Sequence, residues 1–159
     1  RRKLTDSEVT SHRDCKLGQW LYSEGMKHYG TFREFQELEQ QHAHMHEAMD
    51  FTREHGFTVL VRNPGAIMGG QIDPRQLVGT ESDELPVVPI SKVAPDQLYL
   101  VGALMTPVFD NRGKVSFSLV LAGFQGAMNG AQLMAAGQQL RDAGRRVSAF
   151  MAGKVQAAA

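Results

Sequence analysis

At 159 residues with 17 basic and 17 acidic side chains, the chain has room for one ordinary domain or two small ones and no net charge at neutral pH. No long run of one sign is present, which excludes an electrostatic footprint for nucleic acid or an anionic membrane, so no direct nucleic-acid contact is expected. A single cysteine forbids an internal disulfide and points to a reducing, cytoplasmic compartment. The apolar runs at 98–109 and 115–124 are too short and too interrupted to span a bilayer, and the opening Arg-Arg-Lys is not followed by an apolar signal region. No initiating Met is present, so a fragment of a longer protein is expected.

Residues 1–55 hold every His, the Cys and the Trp, whereas the remainder holds all six Pro and most of the sixteen Gly. That shift predicts a boundary between a segment at 1–55 and a lobe at 56–159. In the first segment Thr5 and Glu8 have capping-box spacing, and Val9, Leu17, Trp20 and Leu21 supply an apolar stripe. Gly25 and Gly30 are expected to make the turn. Thr31 and Glu34 form a second capping box, opening a helix whose apolar positions are Phe35, Leu38, Met45 and Met49, with Gly56 as its stop. So short a connection predicts two antiparallel helices, a partial bundle in which Trp20 and Tyr22 are core aromatics.

After Gly56 the period changes. Residues 57–61 are β-branched and aromatic, and the runs at 98–109 and 115–121 flank Asp110-Asn-Arg-Gly113, which predicts an antiparallel hairpin. From Gly130 the pattern is helical again, with Leu133, Leu140, Val147 and Met151 on the stripe expected to cover one sheet face. The Gly- and Pro-rich stretch 63–95 is expected to be loop with short extended pieces. The fold class is therefore α+β.

The chemistry lies in the first segment. His42 and His46 stand four apart on a helix, one above the other, and can offer two imidazoles to one metal; His44 points to another face. Cys15 is the sole thiolate available as a third ligand, and sulfur with two nitrogens suits tetrahedral zinc. His12, one turn before Cys15, could complete a Cys-His₃ set. His28 and His55 are read as surface residues. Neither the second segment nor the first carries a nucleophile elbow, a phosphate loop or a His-Glu-x-x-His motif, so no enzyme is expected.

Two family resemblances sharpen these readings. Cys15-Lys-Leu-Gly-Gln-Trp-Leu-Tyr22, then Gly25, Tyr29, Phe35, Leu38-Glu39, His42 and His46, resembles the chemoreceptor zinc-binding domain of bacterial chemotaxis receptors and diguanylate cyclases. The resemblance implies a small helical bundle in which a Cys and three His bind Zn²⁺ and regulate an attached signalling module. It assigns Cys15, His42 and His46 as ligands. The family's remaining His lies on an earlier helix about thirty residues before the Cys, so the fourth position is open to His12, a water or another chain. In the second segment, Met105-Thr-Pro-Val-Phe-Asp110-Asn-Arg-Gly-Lys-Val115, Ser118-Leu-Val-Leu-Ala-Gly123-Phe and Arg145-Arg-Val-Ser148 resemble the effector-binding domain of IclR-type transcription regulators. That resemblance implies a GAF-like lobe, a homodimer and a small organic effector, with Gly65-Ala-Ile-Met-Gly-Gly70 and Met105 near its pocket. Two families in one chain raise the expectation of a fusion.

Overall fold

The computed structural model describes residues 11–62 and 87–153. They form helices first, then antiparallel sheet and a final helix, which is the α+β class expected. Two compact units divide the chain, Arg1–Met49 and Asp50–Ala159.

In the first unit the Thr5 and Glu8 capping box and Val9 lie outside the described residues. Residues 11–15 are a turn rather than helix. The Ser11 hydroxyl oxygen accepts from the amides of Arg13 and Asp14, both at 3.2 Å, and the Ser11 carbonyl accepts from Asp14 and Cys15 at 3.1 Å. A serine that binds the amides two and three residues on competes with a helix passing through it. Helix α1 then runs Lys16–Trp20, a π-helical turn occupies Leu21–Gly25, and α2 runs Met26–Tyr29. Contrary to expectation Gly25 does not break the chain. A Cβ there would come within 2.9 Å of the Phe35 ring, so the glycine admits that ring, and the turn begins at Gly30.

Helix α3 runs Arg33–His55 and ends at Gly56, whose φ of +79° is the left-handed stop that the sequence suggests. Cys15 lies against His42, and Gly25 against Phe35, so α1 and α3 are antiparallel. The face that α3 buries is not the expected one. Phe35, His42 and Ala48 are buried, whereas Leu38, Met45 and Met49 are 43–50% exposed. Trp20 packs edge-on against Phe35 at 6.1 Å and beside Tyr29 at 6.3 Å, yet 43% of it remains exposed, so it is not a core residue.

In the second unit a four-stranded antiparallel sheet has the order β2-β1-β4-β5, with β1 Thr58–Val61, β2 Val88–Pro89, β4 Val101–Phe109 and β5 Val115–Ala122. A second, two-stranded pair joins β3 Leu98–Tyr99 to β6 Met128–Asn129. The expected hairpin is β4 and β5. Its Asp110 carboxylate accepts from the amides of Arg112 and Lys114, and Gly113 takes a φ of +76°. Of the expected loop at 63–95, β2 is the described extended piece, and residues 63–86 lie outside the described set.

Helix α4, Gly130–Met151, opens on a full capping box between Asn129 and Gln132 and packs on β4. Its buried positions are Gly130, Leu133, Gly137 and Gly144, while Met151 is 45% exposed. The glycines let the sheet approach. A Cβ on Gly137 would clash with the edge of the Phe57 ring, and one on Gly144 would meet Thr106 at 2.7 Å. Phe57, Val59, Val61, Leu104 and Leu133 form the core beneath, joined by Phe51 from the last turns of α3.

A candidate metal centre

Each candidate ligand is placed by a local reason. Cys15 is the residue that starts α1, and its Sγ accepts the amide N–H of Gly18 at 3.2 Å, which fixes the direction of the side chain. Its thiol also lies 3.7 Å from the His12 carbonyl. Gly18 is required for that turn, since a Cβ there would run into the His12 carbonyl. His42 and His46 lie one turn apart on α3 with ring centroids 4.8 Å apart.

The two elements meet at the sulfur. Cys15 Sγ is 3.1 Å from His42 Nε2, and the ligand atoms of Cys15, His42 and His46 all lie within 4.8 Å of one another. A tetrahedral zinc with ordinary Zn–S and Zn–N bonds holds sulfur and nitrogen about 3.5 Å apart, so the trio is close to the spacing such an ion requires. His42 is only 3% exposed, and its Nδ1 is buried with no hydrogen-bond partner among the described residues. Its polar engagement is therefore the Sγ contact. An imidazole buried on so little is costly, about 1–3 kcal/mol for an unmet polar atom, and a metal bond at Nε2 would offset that.

Electrostatics favour the ligand form. Burial first, then the neighbouring His46 and His12, hold His42 below the ordinary imidazole value of 6.5, so it is neutral at neutral pH, as a metal ligand must be. Beside the site Arg13 stacks 4.7 Å over the Tyr22 ring, and the Glu39 carboxylate of α3 acts on the Tyr22 hydroxyl. Burial, followed by the Glu39 carboxylate, raises the Tyr22 hydroxyl above its usual 10. These three residues tie the Cys15 end of the chain to α3. Glu39 stands three before His42 on the same helix face, and the sequence alone assigns it no role beyond its place in the family resemblance.

The other sequence candidates fall elsewhere. The His12 ring stands 6.4 Å from each of the His42 and His46 rings, beside the trio and not in it. His28 is exposed and pairs with Glu24 at 3.1 Å. His55, expected at the surface, is half-buried, with its ring 4.3 Å from Phe51. The loop Gly65 to Gly70 offered for an organic effector lies outside the described residues, and Met105 is a half-buried residue of β4.

A Cys and two His carried by a helical hairpin, with the two His one turn apart, form a cluster that could hold a metal ion. The family model of the chemoreceptor zinc-binding domain matches residues 1–50. No curated protein and no solved structure matches the chain. The resemblance of the second unit to IclR-type effector domains receives no support from these comparisons. No helix of the described residues is long and apolar enough to cross a membrane.

Proposed function

We propose that the first unit is a zinc-binding regulatory element, with Cys15, His42 and His46 as ligands and zinc occupancy as the signal passed to an attached cytoplasmic signalling module. The observation that carries this is the convergence of a thiol and two imidazoles, from two different elements, within 4.8 Å. The match of residues 1–50 to a zinc-binding family supports the same reading.

When bound, the ion supplies a cross-link. The residues of the chain do the rest. Gly18 N–H and the turn at residues 11–15 aim the sulfur at α3. Burial keeps His42 neutral so that its Nε2 lone pair is free for a ligand. Arg13, Tyr22 and Glu39 hold the two elements in register while the ligands exchange. Loading fixes the Cys15 turn on α3, and unloading leaves that junction to an Sγ–imidazole contact and the aromatic packing around Phe35. The chain is in this reading a regulator and not an enzyme. Metal analysis of protein purified without a polyhistidine tag tests it. Close to one equivalent of zinc, lost in Cys15→Ala, is expected; a content far below one equivalent that Cys15→Ala leaves unchanged would sink the reading.

A further inference from the structure

The two ends of the larger sheet are built differently. At one end β2 is two residues long and finishes in Pro89, which has no N–H to offer another strand. At the other, β5 is eight residues long, Val-Ser-Phe-Ser-Leu-Val-Leu-Ala, with no charge and no proline. Among the described residues no strand pairs with its outer side. Its register against β4 shifts at Ser116 and is regular from Phe117 to Ala122. Folded proteins guard or cover such an edge, because its unmet N–H and C=O groups are a template for a further strand. We propose that the cover is the β5 of a second copy of this chain, paired antiparallel about a twofold axis at Leu119, so that two four-stranded sheets become one. The inference stands apart from the zinc reading.

The residue pattern of β5 is complementary to itself. Leu104, Thr106 and Val108 of β4 are buried under α4, with Thr106 against Gly144, and their cross-strand partners are Leu121, Leu119 and Phe117. Those three therefore share the α4 face, yet Phe117 is 43% and Leu121 41% exposed. An antiparallel pair centred on Leu119 sets that residue against its own copy and Phe117 opposite Leu121 of the partner subunit, apolar on apolar. On the other face Ser118 meets Val120. Lys114 falls beyond the regular segment and opposite Phe124, so no like charges meet.

Helix α4 extends the same surface. Arg141 lies against Gly56, just ahead of β1, so the flank of α4 that bears Arg141 looks toward β1. Asp142 and Arg145 pair on that side too. The opposite flank, toward β5, carries Ala136, Leu140, Ala143, Val147 and Phe150 at helical spacing with no charge, and Phe150 is 62% exposed. This flank and the row Phe117, Leu119, Leu121 are two walls of an apolar groove that is open where β5 ends the sheet. A twofold copy closes it with the same two walls. Each chain has one such edge and the pairing uses it, so the product is a closed dimer and not a fibre. The face is about 27 Å long, from eight strand residues, and roughly 20 Å deep, from one sheet layer and one helix. That is about 500 Å² of flat projection per partner, below the ~800 Å² of a standard interface, so a reversible dimer with a dissociation constant on the order of 10 µM is expected.

Sedimentation velocity of the full chain from about 1 to 300 µM reads this directly. The wild type should pass from monomer to dimer, and Phe117→Lys and Val120→Lys should each raise the dissociation constant at least about tenfold with an unchanged circular dichroism spectrum. Mixing Phe117→Lys with Leu121→Glu should restore dimer, because that register sets a cation opposite a carboxylate. Met45→Lys, on an exposed position of α3, should dimerise as wild type. A wild type that stays monomeric, as it would if another segment of the chain covered β5, overturns the proposal. So does a dimer that survives both β5 variants, one abolished by Met45→Lys, or growth beyond the dimer. Should both β5 variants lose their fold, amide hydrogen exchange of the wild type decides: protection of residues 117–121 must rise with concentration, and protection that stays flat overturns the pairing.

Discussion

In the sheet lobe the side chains removed completely from solvent are Phe57, Val59, Val61, Leu104, Val108 and Leu133, whereas the buried side of α3 in the helical hairpin carries Phe35, His42 and Ala48 with His46 beside them. The described core of the lobe is held by transfer of apolar surface, about 25 cal/mol per Å². The apolar side chains buried in the described part of the hairpin are Leu21, Phe35 and Ala48. Its α1 is five residues long and its π turn another five, too short to be helical without tertiary support. Beside its buried Leu21 and Phe35 the hairpin also buries an imidazole whose Nδ1 has no hydrogen-bond partner among the described residues. On the zinc reading the hairpin interior waits on its ion whereas the lobe core is complete in apolar contacts, so each unit should fail by its own route.

The largest effect expected is on the hairpin. Cys15→Ala removes the one sulfur ligand, so stoichiometric zinc binding should be lost. In the wild type, zinc at a thousand times its dissociation constant should stabilise the hairpin by about 4 kcal/mol. Thermal unfolding followed with and without a chelator reads this directly: the hairpin transition should move, and the lobe transition should stay. A zinc-dependent shift of the lobe alone would break the division of labour. The converse variant is Phe57→Ala, which empties the ring-shaped space against Gly137 and should cost the lobe about 3–5 kcal/mol. Zinc content should be unchanged by it.

A finer comparison lies between two glycines. At Gly18 a Cβ would strike the His12 carbonyl, so Gly18→Ala should displace the turn that aims Cys15 and weaken zinc binding about tenfold. At Gly113 the surroundings are open and only the φ of +76° objects, so Gly113→Ala should cost about 1 kcal/mol of lobe stability without touching the metal. Isothermal titration of zinc into both variants separates the two. Equal zinc affinities would show that the close approach at Gly18 does not position the sulfur.

What could be read from the sequence follows the same divide. The lobe's strands, its Asp110 to Gly113 turn and α4 were legible because β-branched runs, turn residues and a helical period are direct consequences of backbone geometry. Cys15, His42 and His46 were legible as a set because i, i+4 spacing is a helix property and one thiol leaves no choice. What misled was hydrophobicity. Leu38, Met45 and Met49 form the apolar stripe, yet the buried face is the one bearing His42, and a buried imidazole carries no apolar signature. The buried face of α4 was hidden for a related reason: Gly137 and Gly144 pack by absence of a side chain, which no hydrophobic pattern records. Gly25 reads as a turn and serves as a seat for Phe35.

The smallest effect expected concerns protons. Burial and the adjacent His46 and His12 lower the His42 pKa below its unfolded value of 6.5, so the unfolded chain binds a proton more readily than the folded one. Metal-free hairpin stability should therefore be intact above about pH 6.5 and fall as the pH drops from there toward the lower folded value; each unit of depression corresponds to about 1.4 kcal/mol. The lobe, whose described core has no titratable imidazole apart from the rim contact of His55, should hold over the same range. Denaturant melts of the metal-free chain between pH 7.5 and 5 would show the slope, and His42→Gln should flatten it. A zinc-loaded chain should lose its hairpin more steeply, because protons then compete with the ion at the sulfur and at both imidazoles. If the metal-free hairpin were as stable at pH 5 as at pH 7.5, His42 would not be the buried neutral imidazole on which the contrast between the two units depends.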